Sequence, residues 1–242
     1  MVGYIIIKNK IMAINVDLVY KTVLLILNQQ QRGYITPDEF NKVGNQVQQG
    51  IFEKYASDLN QQLRIPENDS EYANRVKNLE EKLDIFKRIA TPTFSTDHFT
   101  TASLPNFYRL GTVIHKDVKM VQMVERNEFY LIQKSPLTAA TISQPIFLYE
   151  DTKISVYPTS ITSDIQVSYL KQPAIINWGY SVGSLGQYIY NASSSVNFEL
   201  HPSEQVDVIT GILLYSGVII QDPTIIQVAS QQIQQEDINE KS

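Results

Sequence analysis

Thr91-Pro92-Thr93 marks the change of pattern that decides how this chain is organised. Upstream of it, apolar residues recur at intervals of three and four, the period of a helix with one buried face. Downstream, as far as about Leu200, short runs of Val, Ile, Tyr and Phe alternate with turn residues, as strands do. After Leu200 the helical period returns. The fold class read from this is α+β: N- and C-terminal helices forming a helical bundle, with an antiparallel β-rich middle domain, a sandwich or small barrel. The corresponding divisions are 1–11 as an N-terminal extension, 12–91 as the helical body, 92–200 as the β-rich domain, 201–235 as C-terminal helices packing on the helical body, and 236–242 as a tail.

Upstream, Asn15 to Gln30 carries Val16, Val19, Tyr20, Val23, Ile26 and Leu27 on one helical face, and Gly33 can take the left-handed C-cap. Thr36-Pro37-Asp38-Glu39 then opens a second helix. Thr36 is its N-cap, Pro37 its first helical residue, and Glu39 the acid that reaches back. The stripe Phe40, Val43, Val47, Ile51, Tyr55, Leu59 and Leu63 continues until Pro66. Gly44 and Gly50 inside this helix each cost about 1 kcal/mol against Ala, which points to a close helix crossing. A third helix, Asp69 to Ala90, has a seam of Tyr72, Val76, Leu79, Leu83 and Phe86.

Downstream, the strands read from the pattern are Phe107–Ile114, Lys119–Val124, Phe129–Ile132, Ile146–Tyr149, Lys153–Tyr157 and Ile165–Leu170. Glu150-Asp151-Thr152 makes one hairpin, and Glu125 to Glu128 is expected to make another. Pro173 through Ser195 reads as loop. His201-Pro202-Ser203-Glu204 opens a helix that is apolar on most sides, interrupted by Gly217, and Asp222-Pro223 opens a last one carrying Ile225, Ile226, Ala229 and Ile233.

Composition removes many functions. Of 242 residues 43% are hydrophobic, so a full core can form, and only 19% are charged. The 21 Gln and 15 Asn are expected to coat the surface with uncharged amides. A net charge of −5 argues against a surface that grips nucleic-acid phosphates. Without cysteine there is no disulfide, zinc ribbon, iron–sulfur cluster or thiol catalysis. The three histidines, His98, His115 and His201, are scattered. No apolar run approaches the roughly 18 residues of a spanning helix, so no membrane partner is expected. In residues 1–11 the lysines follow the apolar part, unlike a signal peptide; the segment is either an extension without folded role or a strand that docks elsewhere.

Candidate chemistry stays at background. Gly179, Gly183 and Gly186 lack the strand, helix and lysine of a phosphate loop, so a surface loop is the plainer reading. The carboxylate pairs Asp38-Glu39, Glu80-Glu81 and Glu236-Asp237 suit a helix start and polar faces better than acid–base work. Asp97 or Asp117 with His98 or His115 is the one arrangement a hydrolase could use, and a surface turn is the commoner meaning of such neighbours. Asn68 and Asn191 match a glycosylation pattern that carries no weight without a secretion signal. Trp178, the only tryptophan, is a core anchor or an interface anchor. No catalytic, cofactor-binding or metal-binding residue is assigned, no cofactor is expected, and the chain is not expected to be an enzyme.

Three stretches resemble a known family. They are Met12 to Leu63, centred on Leu24 to Phe40 with its Arg32-Gly33-Tyr34 turn and Thr36-Pro37-Asp38-Glu39 cap; Ile165 to Pro173 followed by Asn177-Trp178-Gly179-Tyr180; and Phe198 to Asp207 with Tyr215-Ser216-Gly217 and Gln221-Asp222-Pro223. Together they resemble ring or adaptor proteins of the head-to-tail connector in crAss-like tailed bacteriophages. The resemblance spans about half the chain and leaves 92–144 unmatched. It implies a virion structural protein, assembled in the host cytoplasm, in a ring of about twelve copies around the DNA channel. Its partners would be itself, the portal protein or a neighbouring ring, and tail components, with DNA passing through unread. The alternative is a carbohydrate-binding or adhesin module using the aromatic segment Trp178 to Tyr190.

Overall fold

The computed structural model describes residues 13–29, 34–62, 70–116, 119–220, 227–228 and 230–235. Two compact units are present: residues 1–85 with 173–242, and residues 86–172.

The first unit contains α1 (Val16–Gln29), α2 (Pro37–Gln62), α3 (Ser70–Asp84) and α5 (Gln205–Ile220). Local chemistry sets the helix starts. Asn15 Oδ1 accepts from the backbone N–H groups of Asp17 and Leu18, at 2.9 and 3.0 Å. At α2 the expected capping box is present: Thr36 N–H donates to Glu39 Oε2 at 2.9 Å, and Glu39 N–H donates to Thr36 Oγ1 at 3.3 Å. Helices α2 and α5 pack together, as do α2 with α3 and α1 with α5. The close helix crossing is made by a glycine of α5. A Cβ on Gly211 would lie 2.9 Å from Val47 Cγ1, whereas one on Gly44 would lie 2.7 Å from Ile176 Cδ1, in extended chain rather than in a helix. Gly50 faces open space, and α5 runs unbroken through Gly217.

The expected helical bundle is therefore corrected. One face of α2 is covered by extended backbone from 174–178 and 196–199, not by another helix. Residues 173–200, assigned to the β-rich domain with Pro173 through Ser195 read as loop, lie in the unit with the helices. They pair antiparallel at Asn177 and Val196, continue into the hairpin β9 (Tyr180–Val182) and β10 (Tyr188–Tyr190), and Phe198 pairs with Ile14.

The second unit is one eight-stranded sheet in the order β1-β8-β4-β5-β6-β7-β3-β2. Its strands are β1 (Lys87–Ala90), β2 (Thr93–Ser95), β3 (His98–Thr100), β4 (Phe107–His115), β5 (Lys119–Met123), β6 (Ile146–Glu150), β7 (Lys153–Tyr157) and β8 (Ile165–Lys171). The sheet curls so that Phe99 from β3, Val113, Val121, Phe147, Val156 and Val167 share one core. Its edges β1 and β2 do not pair with each other, so it is neither a sandwich nor a closed barrel. It is also mixed rather than antiparallel: β5 and β6 run parallel, Gln122 opposite Ile146. That pairing demands a crossover, and α4 (Arg126–Lys134) supplies it. Phe129–Ile132, expected as a strand with a hairpin before it, is the middle of this helix; Phe129 packs against Tyr157 with ring centroids 4.4 Å apart. The third helix stops at Asp84, not Ala90, because Lys87–Ala90 pairs with β8. The β6–β7 hairpin is as expected, with Asp151 at φ 54° in its turn. The segments 1–12, Gly33, Asp117, Asp222-Pro223 and 236–242 lie outside the described residues, and residues 230–235 are helical.

A buried ion pair ties α3 to the start of α5. Lys82 Nζ sits 2.7 Å from Glu204 Oε1, and Glu204 is 3% exposed. Burial, the largest effect, pushes the Glu204 carboxyl up, but the Lys82 ammonium with Tyr55 and Asp207 outweighs it and holds the group below the usual glutamate range. A carboxyl depressed in the folded state stabilises above its unfolded value, and that stability is lost as pH falls through the folded one. Denaturant midpoints of the wild-type chain should therefore drop below pH 4.5, the ordinary glutamate value. A Glu204→Gln variant, less stable at neutral pH, should show a smaller drop; equal slopes would refute this assignment.

Candidate functional site

The most developed polar arrangement in the molecule lies along one face of α2. Asn41, Asn45 and Gln48, at helical spacings of four and three, meet every second residue of the extended segment 174–178. Asn41 Oδ1 accepts from Trp178 N–H at 2.6 Å while its Nδ2 donates to Trp178 O at 3.4 Å and to Asn177 Oδ1 at 3.0 Å. Asn45 Oδ1 accepts from Ile176 N–H at 2.8 Å and its Nδ2 donates to Ile176 O at 3.2 Å. Gln48 Nε2 donates to Ala174 O at 2.7 Å, and its Oε1 accepts from Glu199 N–H at 2.9 Å. A primary amide has both a donor and an acceptor, as a peptide group does, so three side chains imitate one edge of a β-ladder. The surface-coat reading of Asn and Gln misses this: Gln48 is 2% exposed.

This ladder seats Trp178. Its indole is buried against Tyr20, with ring centroids 4.4 Å apart, and near Tyr190 at 5.5 Å, and Nε1–H donates to Asp17 Oδ1 at 3.1 Å. Of the two readings left open for Trp178, the core anchor is the one found. Tyr20 packs on Phe40 as well, and burial, then its contact with Tyr34, pushes the Tyr20 hydroxyl well above the ordinary tyrosine range. Tyr180 and Tyr188 are partly exposed beyond Trp178 and meet edge to face at 83°. They do not form the flat, aligned platform on which a sugar ring stacks.

The other candidates are kept apart. His98 Nδ1 lies 2.7 Å from Asp97 Oδ1 in the turn between β2 and β3, with Asp97 largely exposed. His115 ends β4, which three strands separate from β3 in the sheet order. It is buried and its Nδ1 has no hydrogen-bond partner among the described residues; burial first, then the Lys116 charge, pushes its imidazole below the ordinary histidine value. Asp117, the other acid of that arrangement, lies outside the described residues. Gly179 and Gly183 serve the hairpin: a Cβ on Gly179 would lie 2.0 Å from Ser194 Oγ, and one on Gly183 2.5 Å from Gln187 Nε2. Gly186 takes the positive φ of its tip, 78°. Glu39 is occupied by its cap, Glu80 and Glu81 point to solvent from α3, and Glu236-Asp237 lies outside the described residues. His201 caps the turn before α5 by accepting from Ser203 N–H. Among the described residues no group of three or more His, Asp or Glu is placed to hold a metal ion, and no helix is long and apolar enough to cross a membrane.

Large apolar side chains are instead exposed in both compact units. In the first they include Leu18, Leu25 and Ile26 on α1, Ile175, Val182 and Leu185; in the second, Ile89, Met120, Tyr130, Leu131, Leu137 and Ile142. Helical periodicity puts Ile26 on the buried face of α1, whereas it is exposed with Leu18 and Leu25. Comparison with protein-family models and with curated proteins finds no match.

An Asn45→Asp variant tests the amide ladder. The carboxylate keeps the acceptor for Ile176 N–H but cannot donate to Ile176 O, so the chain should lose about 2 kcal/mol of stability at neutral pH. The deficit relative to wild type should shrink at about pH 3, where a protonated carboxyl can donate again. A deficit that does not change with pH would contradict the proposed donor role.

Proposed function

We propose that this chain is a ring subunit of the head-to-tail connector of a tailed bacteriophage, a virion structural protein surrounding the DNA channel between portal and tail. Copies of it meet one another around the ring, and meet the portal or a neighbouring ring and the tail along the channel axis. The observation that carries this reading is the exposure of large apolar side chains in both compact units, with Leu25 58%, Leu131 72% and Leu137 94% exposed. Single apolar residues on a surface are ordinary. A closed ring built from heterologous contacts, however, needs two different sticky surfaces on every subunit, and further ones for the tiers above and below. The resemblance of the Leu24–Phe40, Ile165–Tyr180 and Phe198–Pro223 stretches to connector ring proteins supports the same reading. So does the net charge of −5, which lets DNA slide past without adhering. The carbohydrate-binding alternative has less support: Trp178 is buried beneath the hairpin, and the exposed tyrosines are not coplanar.

Mixing the purified chain with the portal complex encoded alongside it tests the reading. The chain should join the portal in a stable assembly of about twelve copies, visible by native mass and as a ring by electron microscopy. A chain that stays monomeric beside the portal, and is absent from purified virions, would sink it.

A further inference from the structure

Resting on the ring reading, we infer that the β5–α4–β6 crossover of one copy docks on the outer face of α1 in a second copy, head to tail. Helix α4 has no buried residue. It is held to its own unit by Phe129 on Tyr157 and by the bidentate pair of Arg126 with Glu150. Its Tyr130 and Leu131 are left exposed, and Leu137 and Ile142 follow in the connection to β6. Four large apolar side chains exposed within thirteen residues concentrate more apolar surface than isolated exposure explains.

On α1, Val16, Val19, Val23 and Leu27 are buried, while Leu18, Leu25 and Ile26 are exposed. Positions seven and eight apart share a helical face, so these three lie on one side directed away from the core, with Thr22 and Lys21, the latter paired with Asp17, in the turn between Leu18 and Leu25. Crossover and stripe are thus, among the described residues, two different unpartnered surfaces, the pair that a heterologous contact needs.

Charge selects which surfaces meet. Residues 86–172 hold nine Lys and Arg against seven Asp and Glu, a net of +2. Residues 1–85 with 173–242 hold eleven against eighteen, a net of −7, and the two account for the whole chain's −5. Two α1-bearing units therefore repel each other, which works against a symmetric dimer built on that stripe, whereas the crossover-bearing unit of one copy is attracted to the α1-bearing unit of the next. Such a contact leaves one surface of each kind free on every dimer, so it propagates from copy to copy, as the ring reading requires.

The test uses two full-length variants, Tyr130→Glu/Leu131→Glu and Leu25→Glu/Ile26→Glu, all at exposed positions, with folding checked by circular dichroism. The wild-type chain should form concentration-dependent species above the monomer that weaken with added salt. Each variant alone should lose all of them. A one-to-one mixture should give dimers and nothing larger, because one intact crossover then meets one intact stripe. If a glutamate pair unfolds the chain, Leu131→Ser and Leu25→Ser put the same question more mildly. A variant that assembles like wild type, a mixture that stays monomeric, or a wild-type chain monomeric at every concentration overturns this contact. Joining of the portal is read separately, so the contact can fail while the ring reading stands, and failure of both is recognised as such.

Discussion

An extended backbone laid against a helix has a problem that a strand inside a sheet does not: its N–H and C=O groups lack a neighbouring ladder. Burying them unpaired costs on the order of 1–3 kcal/mol each. Asn41, Asn45 and Gln48 solve this by offering side-chain amides in register with Ala174, Ile176 and Trp178. Once that segment is fixed, Ile176 and Trp178 point into the core, the 196–198 strand can pair beside it, and Ile14 can pair with Phe198. The hairpin β9–β10 grows from the same pair of strands. Gly44 is part of the same constraint, because the segment runs where its side chain would be.

The three amides of the ladder are neutral, while the same unit also holds a charge pair, Lys82 with Glu204. Lys82 and Glu204 join α3 to the start of α5, where Glu204 without its cation would be a buried charge. Neutral amides pair most of the extended chain's backbone, while Ala174 N–H and the Trp178 indole N–H donate to the carboxylates of Glu199 and Asp17, and an ion pair joins the helices. In the sheet unit, His115 adds a separate acid sensitivity, since a buried imidazole without a partner at Nδ1 among the described residues resists protonation.

Local features were legible in the sequence and non-local ones were not. Thr36 and Glu39 satisfy each other across three residues, and the β6–β7 hairpin closes over a short turn, so pattern alone suffices for both. Phe129–Ile132 misled because four residues cannot distinguish a short helix from a strand, and the parallel pairing that requires a helix there is invisible locally. Lys87–Ala90 continues a helical seam in sequence but is captured by β8, more than seventy residues later. The amide ladder was the largest omission. Asn and Gln read as surface, and nothing near residues 41–48 announces a partner some 130 residues away. Trp178 could be singled out as an anchor, yet its burial depends on that ladder.

The exposed apolar surfaces and the divided charge make sense in a subunit whose folded state is completed by neighbours, the role proposed for this chain. That role requires an ordered first unit, and the ladder supplies the pairing that orders 174–178. Amide hydrogen exchange on the full chain tests this most directly. The N–H groups of Ile176 and Trp178, which donate only to side-chain oxygens of Asn45 and Asn41, should be protected as strongly as the amides in the middle of α2. Exchange of those two amides as fast as the exposed tip of the β9–β10 hairpin would contradict the account.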